Sequence, residues 1–338
     1  IEATANDGSG VDTMVKLQAI VDAAAATYNN ALGVIGAYTG SNTAPQLQDY
    51  LDAEVTGVTS AELAQLNTFV AQLPTASTNT TVLVQGVTDA FNALLAAADS
   101  NNATASSLSQ AQFVTLGLTA ISAAEASLLT TVISGLAPTA VDTYAELAAL
   151  AAQVNRVVGT ASNDNLNNAP SLADLTALGV SGVTAANLAV VQQAIASATA
   201  GQVDSLSELQ SVVTAATNAY TAALGTISSY AQSNGGTAPT TSNFAQAGVT
   251  GVDSANLAAI QSALASTAIT GTLADTTTEV QTLVDAFNRI LAEANGSATD
   301  STTDDPTVAD YQAIGVSLGA IATNLSLIHI SEPTRQAE

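Results

Sequence analysis

The chain has 338 residues, of which 47% are hydrophobic, 4% aromatic and only 9% charged, and its formal net charge is −24. With four bases against 28 acids, no basic patch can neutralise phosphates, so the sequence predicts no nucleic-acid partner and no binding to an anionic membrane surface. The absence of cysteine excludes disulfides, thiolate metal sites and a cysteine nucleophile, and no apolar run is long enough to predict membrane insertion.

The chain opens on a polar stretch followed by one long amphipathic helix. The apolar spacing predicts a helix over Val15–Ile35, with an inward face formed by Leu17, Ile20, Val21, Ala24, Tyr28, Leu32 and Ile35. The segment KLQAIVDA at 16–23 matches EVQTLVDA at 279–286. We therefore expect the first residues to be the third helix of a partial repeat that begins inside a longer protein.

The spacing of helix ends predicts an all-α chain, a tandem array of small three-helix bundles of about 62–70 residues each. A glycine that ends the first helix of a repeat falls at 117, 179, 248 and 315, and the third helices start near 16, 83, 146, 208 and 279. A longer period of about 194 residues relates TAP and DAFN segments, so repeats recur in sets of three. The predicted boundaries are a partial repeat at 1–42, repeat 1 at 43–102, repeat 2 at 103–165, repeat 3 at 166–235, repeat 4 at 236–297 and a partial repeat 5 at 298–324.

Apolar stripes and capping boxes predict the helices of repeats 1 to 3. They are about Gln46–Ala53, a helix after the Thr59–Glu62 capping box, Thr81–Ala98, a helix from the Ser122–Glu125 capping box, Asp142–Val158, a helix from Thr184, and a long helix from the Ser205–Glu208 capping box to about Tyr230. Glu54 stands where the later repeats have a helix-ending glycine, so repeat 1 is expected to have a poorer or different cap.

Repeat 4 shows the pattern most clearly. Its first helix is predicted over Ser242–Ala247 and ends at Gly248, and its second starts at Asp253. The third starts at the Thr276–Glu279 capping box, and its inward stripe is Val280, Leu283, Val284, Phe287, Ile290, Leu291 and Ala294. Each helix has one apolar stripe, so none can bury its stripe without the others.

The last residues break the repeat. Leu325–Arg335 reads LSLIHISEPTR, which resembles the translation of a sequencing-library adapter, and residues 325–338 are interpreted as an adapter artefact. His329, the only histidine, falls in this segment. Without it the chain offers no imidazole base, no catalytic triad and no histidine-bound zinc.

Few residues remain as candidates for a functional site. Arg156 and Arg289 occupy equivalent places in third helices; an anion-binding role is one hypothesis, and a surface charge paired with a nearby acid is the better one. Oxygen-rich linkers suggest calcium between repeats, although none has the EF-hand spacing. These linkers are Asp99–Ala103, Asn163–Asn168 and Asp300–Asp305. No catalytic, cofactor-binding or metal-binding residue is predicted, so we expect a protein that is not an enzyme and needs no cofactor.

The motif Gly-Val-Thr/Ser-Gly-Val-Thr/Asp-x-x-Asn-Leu-Ala at 179–189 and 248–258, with Glu-Val-Gln-x-Leu-Val-Asp-Ala at 279–286, resembles a known repeat. It is similar to the GA-like three-helix modules, some of them albumin-binding, that occur in tandem in very large bacterial surface proteins and secreted adhesins. The resemblance covers about residues 11–324 and rests on cap and core positions, so it carries over no binding residue. It implies an extracellular or cell-surface location.

Three functional hypotheses follow. The first is a non-enzymatic stalk or spacer region of a bacterial cell-surface or secreted adhesin, with a part in adhesion or biofilm formation. The second is a binding module for a host or matrix protein. The third is an accessory region of a large secreted enzyme. Binding assays against serum and matrix proteins separate the first two, and the flanking sequence separates the first from the third.

Overall fold

The computed structural model describes residues 8–100, 108–163, 166–293 and 305–319. Across these ranges the chain is helical and has no strand, which confirms the predicted all-α class. The α-helices are α1 Met14–Gly36, α2 Leu47–Asp52, α3 Leu63–Val70, α4 Thr81–Ala97, α5 Gln110–Thr115, α6 Ala123–Ile133, α7 Tyr144–Asn163, α8 Leu172–Ala177, α9 Leu188–Ala196, α10 Leu206–Gln232, α11 Thr241–Gln246, α12 Leu257–Leu264, α13 Thr277–Glu293 and α14 Val308–Ala313. Short 3-10 turns lie at Thr75–Ser77, Pro138–Ala140, Leu166–Asn168, Ala200–Gln202 and Gly271–Leu273.

The predicted capping boxes form at the starts of third helices. The Thr276 N–H donates to Glu279 Oε2 at 3.1 Å, and the Glu279 N–H donates to Thr276 Oγ1 at 3.3 Å. The Glu208 N–H donates to Ser205 Oγ in the same way at 3.3 Å, and the Ser205 hydroxyl donates to Glu208 Oε2 at 2.7 Å. Each box satisfies backbone donors that a helix start leaves free, which explains why the sequence locates these starts well.

The second helices of repeats 3 and 4 begin later than predicted, at Leu188 and Leu257 instead of Thr184 and Asp253. Asp253 caps a turn instead of the helix: its carboxylate accepts hydrogen bonds from the N–H groups of Ala255 and Asn256. The Asn256 side chain then accepts the Asp253 N–H at 2.8 Å. These local bonds compete with the helical pattern over the first turn and displace the helix start by four residues.

The first helices end in the predicted left-handed residue, with φ of 72° at Gly248 and 101° at Gly117. Glu54 adopts the same conformation with φ of 59°, and the Val55 N–H reaches Tyr50 O at 2.9 Å just as the Val249 N–H reaches Phe244 O. The cap of repeat 1 therefore keeps its geometry, and a residue with a Cβ bears the strain that glycine avoids elsewhere.

The described residues fall into two compact units: residues up to Ser181 with Ile195–Gln210, and Gly182–Ala194 with residues from Ser211 onward. In the first unit, the C-terminal half of α1 packs on α2, and aromatic rings fill the centre. The Phe69 ring centroid lies 5.4 Å from that of Phe91 and 6.1 Å from that of Tyr144. Tyr50 is fully buried, and its hydroxyl donates to Asn67 Oδ1 at 2.6 Å.

The second unit has one continuous apolar core built from the C-terminal half of α10 with α11, α12 and α13. Phe244, on the short helix α11, is fully buried in it. Both units share a detail: the Tyr28 and Thr81 hydroxyls are 3.0 Å apart in the first, and the Tyr220 and Thr277 hydroxyls are 3.0 Å apart in the second. This contact agrees with the longer period in the sequence.

Three predicted inward positions are exposed, Val21 and Ala24 of α1 and Leu291 of α13. Leu291 of α13 is 40% exposed and Val21 of α1 is 52% exposed. In α1 only the C-terminal half has buried residues, because α2 packs there and no described element covers the N-terminal half. None of the helices in the described ranges is long and apolar enough to cross a membrane.

Candidate functional site

The two arginines singled out from the sequence both pair with an acid on the next helix. Arg156 of α7 makes a two-pronged contact with Asp174 of α8, with Nε 2.9 Å from Oδ2 and Nη2 2.5 Å from Oδ1. Arg289 of α13 places Nε 3.0 Å and Nη2 2.5 Å from Asp310 Oδ1 on α14. The guanidiniums therefore join a third helix to the first helix that follows it, as the paired-charge hypothesis expected.

The acids of these pairs are held in the ionised form. The hydrogen bond from Arg156 has the largest effect on the pKa of Asp174 and, together with hydrogen bonds from Ser171 and against the opposing effect of burial, lowers it to about 2. Burial acts to raise the pKa of Asp310, but hydrogen bonds from Arg289 and Thr307 are stronger together and lower it. Each carboxylate also closes the capping box of its own helix. The same carboxylate therefore caps its helix and pairs with the arginine of the preceding third helix.

The calcium hypothesis falls largely outside the described residues. Residues 101–103, 164–165 and 300–304 of the three linkers are not described. Within the described ranges there is no group of three or more acidic or histidine side chains placed to hold a metal ion. Calcium binding at the linkers stays a prediction.

A recurring contact that the sequence reading missed joins third helices to the loop after the first helix. Gln85 accepts the Thr56 N–H at 2.8 Å and donates to Thr56 O at 3.1 Å. Gln210 makes the same two bonds with Ser181, at 2.9 and 3.1 Å, and Gln281 with Thr250, at 2.8 and 3.2 Å. We call this pair of bonds the glutamine clamp. Aligning the third-helix starts reveals it, because each glutamine follows the first buried residue of its helix.

Repeat 2 has no glutamine clamp. Ala148 occupies the clamp position on α7, and Ala120 replaces the loop glycine that has φ of 80° at Gly57 and 77° at Gly251. Because Ala120 does not take the left-handed conformation, the loop closes on itself instead, with the Thr119 N–H donating to Gly117 O at 3.0 Å. A groove of about 320 Å³ opens between the loop and α7. It occupies the place that the clamp glutamine takes in the other repeats.

One carboxylate, Glu125, lines this groove and is only 7% exposed. It accepts the Ser122 N–H at 2.6 Å and the Asn155 Nδ2 at 2.5 Å. Burial acts to raise the pKa of Glu125, but these hydrogen bonds lower it overall, so the group stays ionised at neutral pH. The remaining lining is mixed: alanines along α7 face the loop, and Leu118, Ile121 and Tyr144 add larger side chains. The groove therefore offers one carboxylate that is already hydrogen-bonded, in a mainly apolar lining.

Restoring the clamp in repeat 2 tests this account of the groove. We expect Ala148→Gln alone to change the free energy of unfolding little, because the loop lacks the left-handed residue that presents its N–H and C=O. The double variant A120G/A148Q should gain about 1 kcal/mol over the sum of the single variants, through two new hydrogen bonds. Urea unfolding of the four chains measures the coupling. Additive effects would show that the groove does not mark a missing clamp.

The chain was compared with protein-family models, curated proteins and solved structures. No protein-family model, no curated protein and no solved structure matches the chain.

Proposed function

We propose that the chain is a non-enzymatic repeat region of a bacterial cell-surface or secreted adhesin, in which tandem three-helix bundles form a stalk or spacer. The observation that carries the proposal is the glutamine clamp. The same two bonds recur at Thr56, Ser181 and Thr250, which supports one folding unit used several times.

The Arg–Asp pairs support the spacer role because they hold a third helix to the next first helix. Such a joint transmits force along the chain and limits bending between neighbours. Short joints with paired charges occur where α7 meets α8 and where α13 meets α14. The resemblance to GA-like modules adds the expectation of an extracellular or cell-surface location.

An in-register deletion tests the spacer function. Removing residues 147–208 joins Glu146 to Leu209 and keeps the Glu-Leu pair that starts a third helix. We expect the shortened chain to keep its helical content per residue and its cooperative unfolding. Its maximum dimension, measured by small-angle scattering, should shorten by about the length of one repeat. An in-register join predicts this result, because the joined helix keeps its buried face in place.

The matched control removes residues 149–208, which leaves two extra residues in the joined helix. Two residues rotate the following face by about 200°, so this variant should lose helix content and cooperativity. If both deletions behave alike, the repeat organisation is wrong. Retention of a serum or matrix protein on the immobilised full chain would instead favour the binding-module hypothesis.

A further inference from the structure

The N-terminal half of α1 presents the same residues as the N-terminal half of α10. Leu17, Gln18, Val21 and Ala24 correspond to Leu209, Gln210, Val213 and Ala216, and the match continues through the Tyr-x-x-Ala-Leu-Gly segments at 28–33 and 220–225. We call Leu17, Gln18, Val21 and Ala24 the α1 face. Equal residues at equal spacing present equal surfaces, so the two helices should have equal packing requirements.

Their burial is nevertheless opposite. Leu209 and Val213 are fully buried and Ala216 is 8% exposed, whereas Val21 is 52% exposed. The residues of α4 and α13 that correspond to Val21, Thr88 and Val284, are also buried. The Val21 position is thus buried in α4, α10 and α13 and open in α1, where Ala24 is exposed as well and Leu17 is half-buried.

The polar member of the face shows the same contrast. Gln85, Gln210 and Gln281 each bind both backbone groups of a loop residue. The Gln18 side chain donates to Asp22 Oδ1 at 2.8 Å, and within the described ranges it makes no hydrogen bond to a loop. Gln85 and Gln281 make the same bond to an acid four residues ahead and hold the loop as well. Gln18 is therefore already positioned for a loop.

We propose that the α1 face is a docking surface for the loop and second helix of another repeat of this kind, the segment that corresponds to residues 179–196. The choice of occupant follows from both observations: the amide of Gln18 fits the backbone N–H and C=O of a Gly-Val-Ser/Thr-Gly loop, and the apolar residues fit the helix after it. This inference rests on the repeat organisation proposed above.

A cysteine-protection experiment tests the proposal, since the chain has no cysteine of its own. Residues 166–205 are fused in place of residues 1–13, so that Met14 follows the segment as Leu206 does in the chain. In the unfused chain, V21C should react with a thiol reagent as fast as A19C, whose position is exposed. In the fusion, V21C should react at least about tenfold more slowly, approaching V213C, while A19C stays fast.

Two controls make the result decisive. A fusion whose added segment carries Val191→Asp and Ile195→Asp should leave V21C as reactive as in the unfused chain. Adding Gln18→Ala to the working fusion should return part of the reactivity.

The proposal is overturned if V21C reacts as fast as A19C in a fusion whose circular dichroism shows the added helices. It is also overturned if V21C becomes protected in the unfused chain as concentration rises, which would make a second copy the occupant. Neither outcome bears on the in-register deletion, so the proposed function is tested separately.

Discussion

Replacing Phe244 with alanine is expected to destabilise the second unit by about 3–5 kcal/mol. Phe244 is fully buried among Ile260, Leu264 and Val284, and it is the one large residue that the short helix α11 contributes to this core. A core made mainly of alanine, valine, leucine and isoleucine cannot collapse into the space a phenyl ring leaves. The loss is comparable to the whole stability of a small domain, so α11 should detach. Urea unfolding and amide hydrogen exchange of α11 measure the effect.

Leu273→Ala is the matched control, because it removes a large apolar side chain from the same unit at a position that is 51% exposed. Its cost should stay below about 1 kcal/mol. Equal losses from the two substitutions would mean that the second unit is not held together by this core.

The second large effect is expected from Arg156→Ala, which should cost about 1–3 kcal/mol at pH 7. The change leaves the carboxylate of Asp174, whose side chain is 10% exposed, with only the Ser171 hydrogen bonds of its own cap. Lys16→Ala is the matched control: it also removes one positive charge, but from an exposed pair with Asp12 that contributes about 0.5 kcal/mol or less.

The effect of Arg156→Ala should depend on pH. The folded-state pKa of Asp174 is lowered to about 2, below its ordinary value of 3.8, so the stabilisation by the pair is complete above pH 4 and is lost as pH falls toward 2. The difference in unfolding free energy between the parent and the variant should therefore shrink between pH 4 and pH 2. A difference that stays constant over this range would show that Arg156 acts by packing alone.

The sequence predicted most helix starts and the helix-ending residues because each depends on a few neighbours. Ser122–Glu125 and Thr276–Glu279 are local patterns, and the left-handed glycines follow from the backbone alone. The second helices at Leu188 and Leu257 were misplaced because asparagine and aspartate turns compete with helical hydrogen bonding, and their balance is not visible in a periodic pattern.

Contacts across repeats were harder to predict. The pairing of Arg156 with Asp174 depends on how two helices are placed against each other. Apolar periodicity predicts which face of a helix is buried, but it does not predict which helix packs against that face. The exposed Val21 illustrates this limit, since its sequence matches that of the buried Val213. An alignment of third helices could have predicted the glutamine clamp, but a single glutamine beside an apolar stripe carries no signal by itself.

The missing clamp of repeat 2 has a consequence for how the chain reaches its native state. Near-identical segments along one polypeptide can exchange partners during folding and trap misassembled forms. The loops at Thr56 and Ser181 are alike, and each needs a glutamine from its own third helix. The third helix of repeat 2 presents Ala148, which offers no amide to either loop. Pairing either loop with this helix forfeits two hydrogen bonds, so we expect repeat 2 to exchange partners with its neighbours less readily than a regular repeat would.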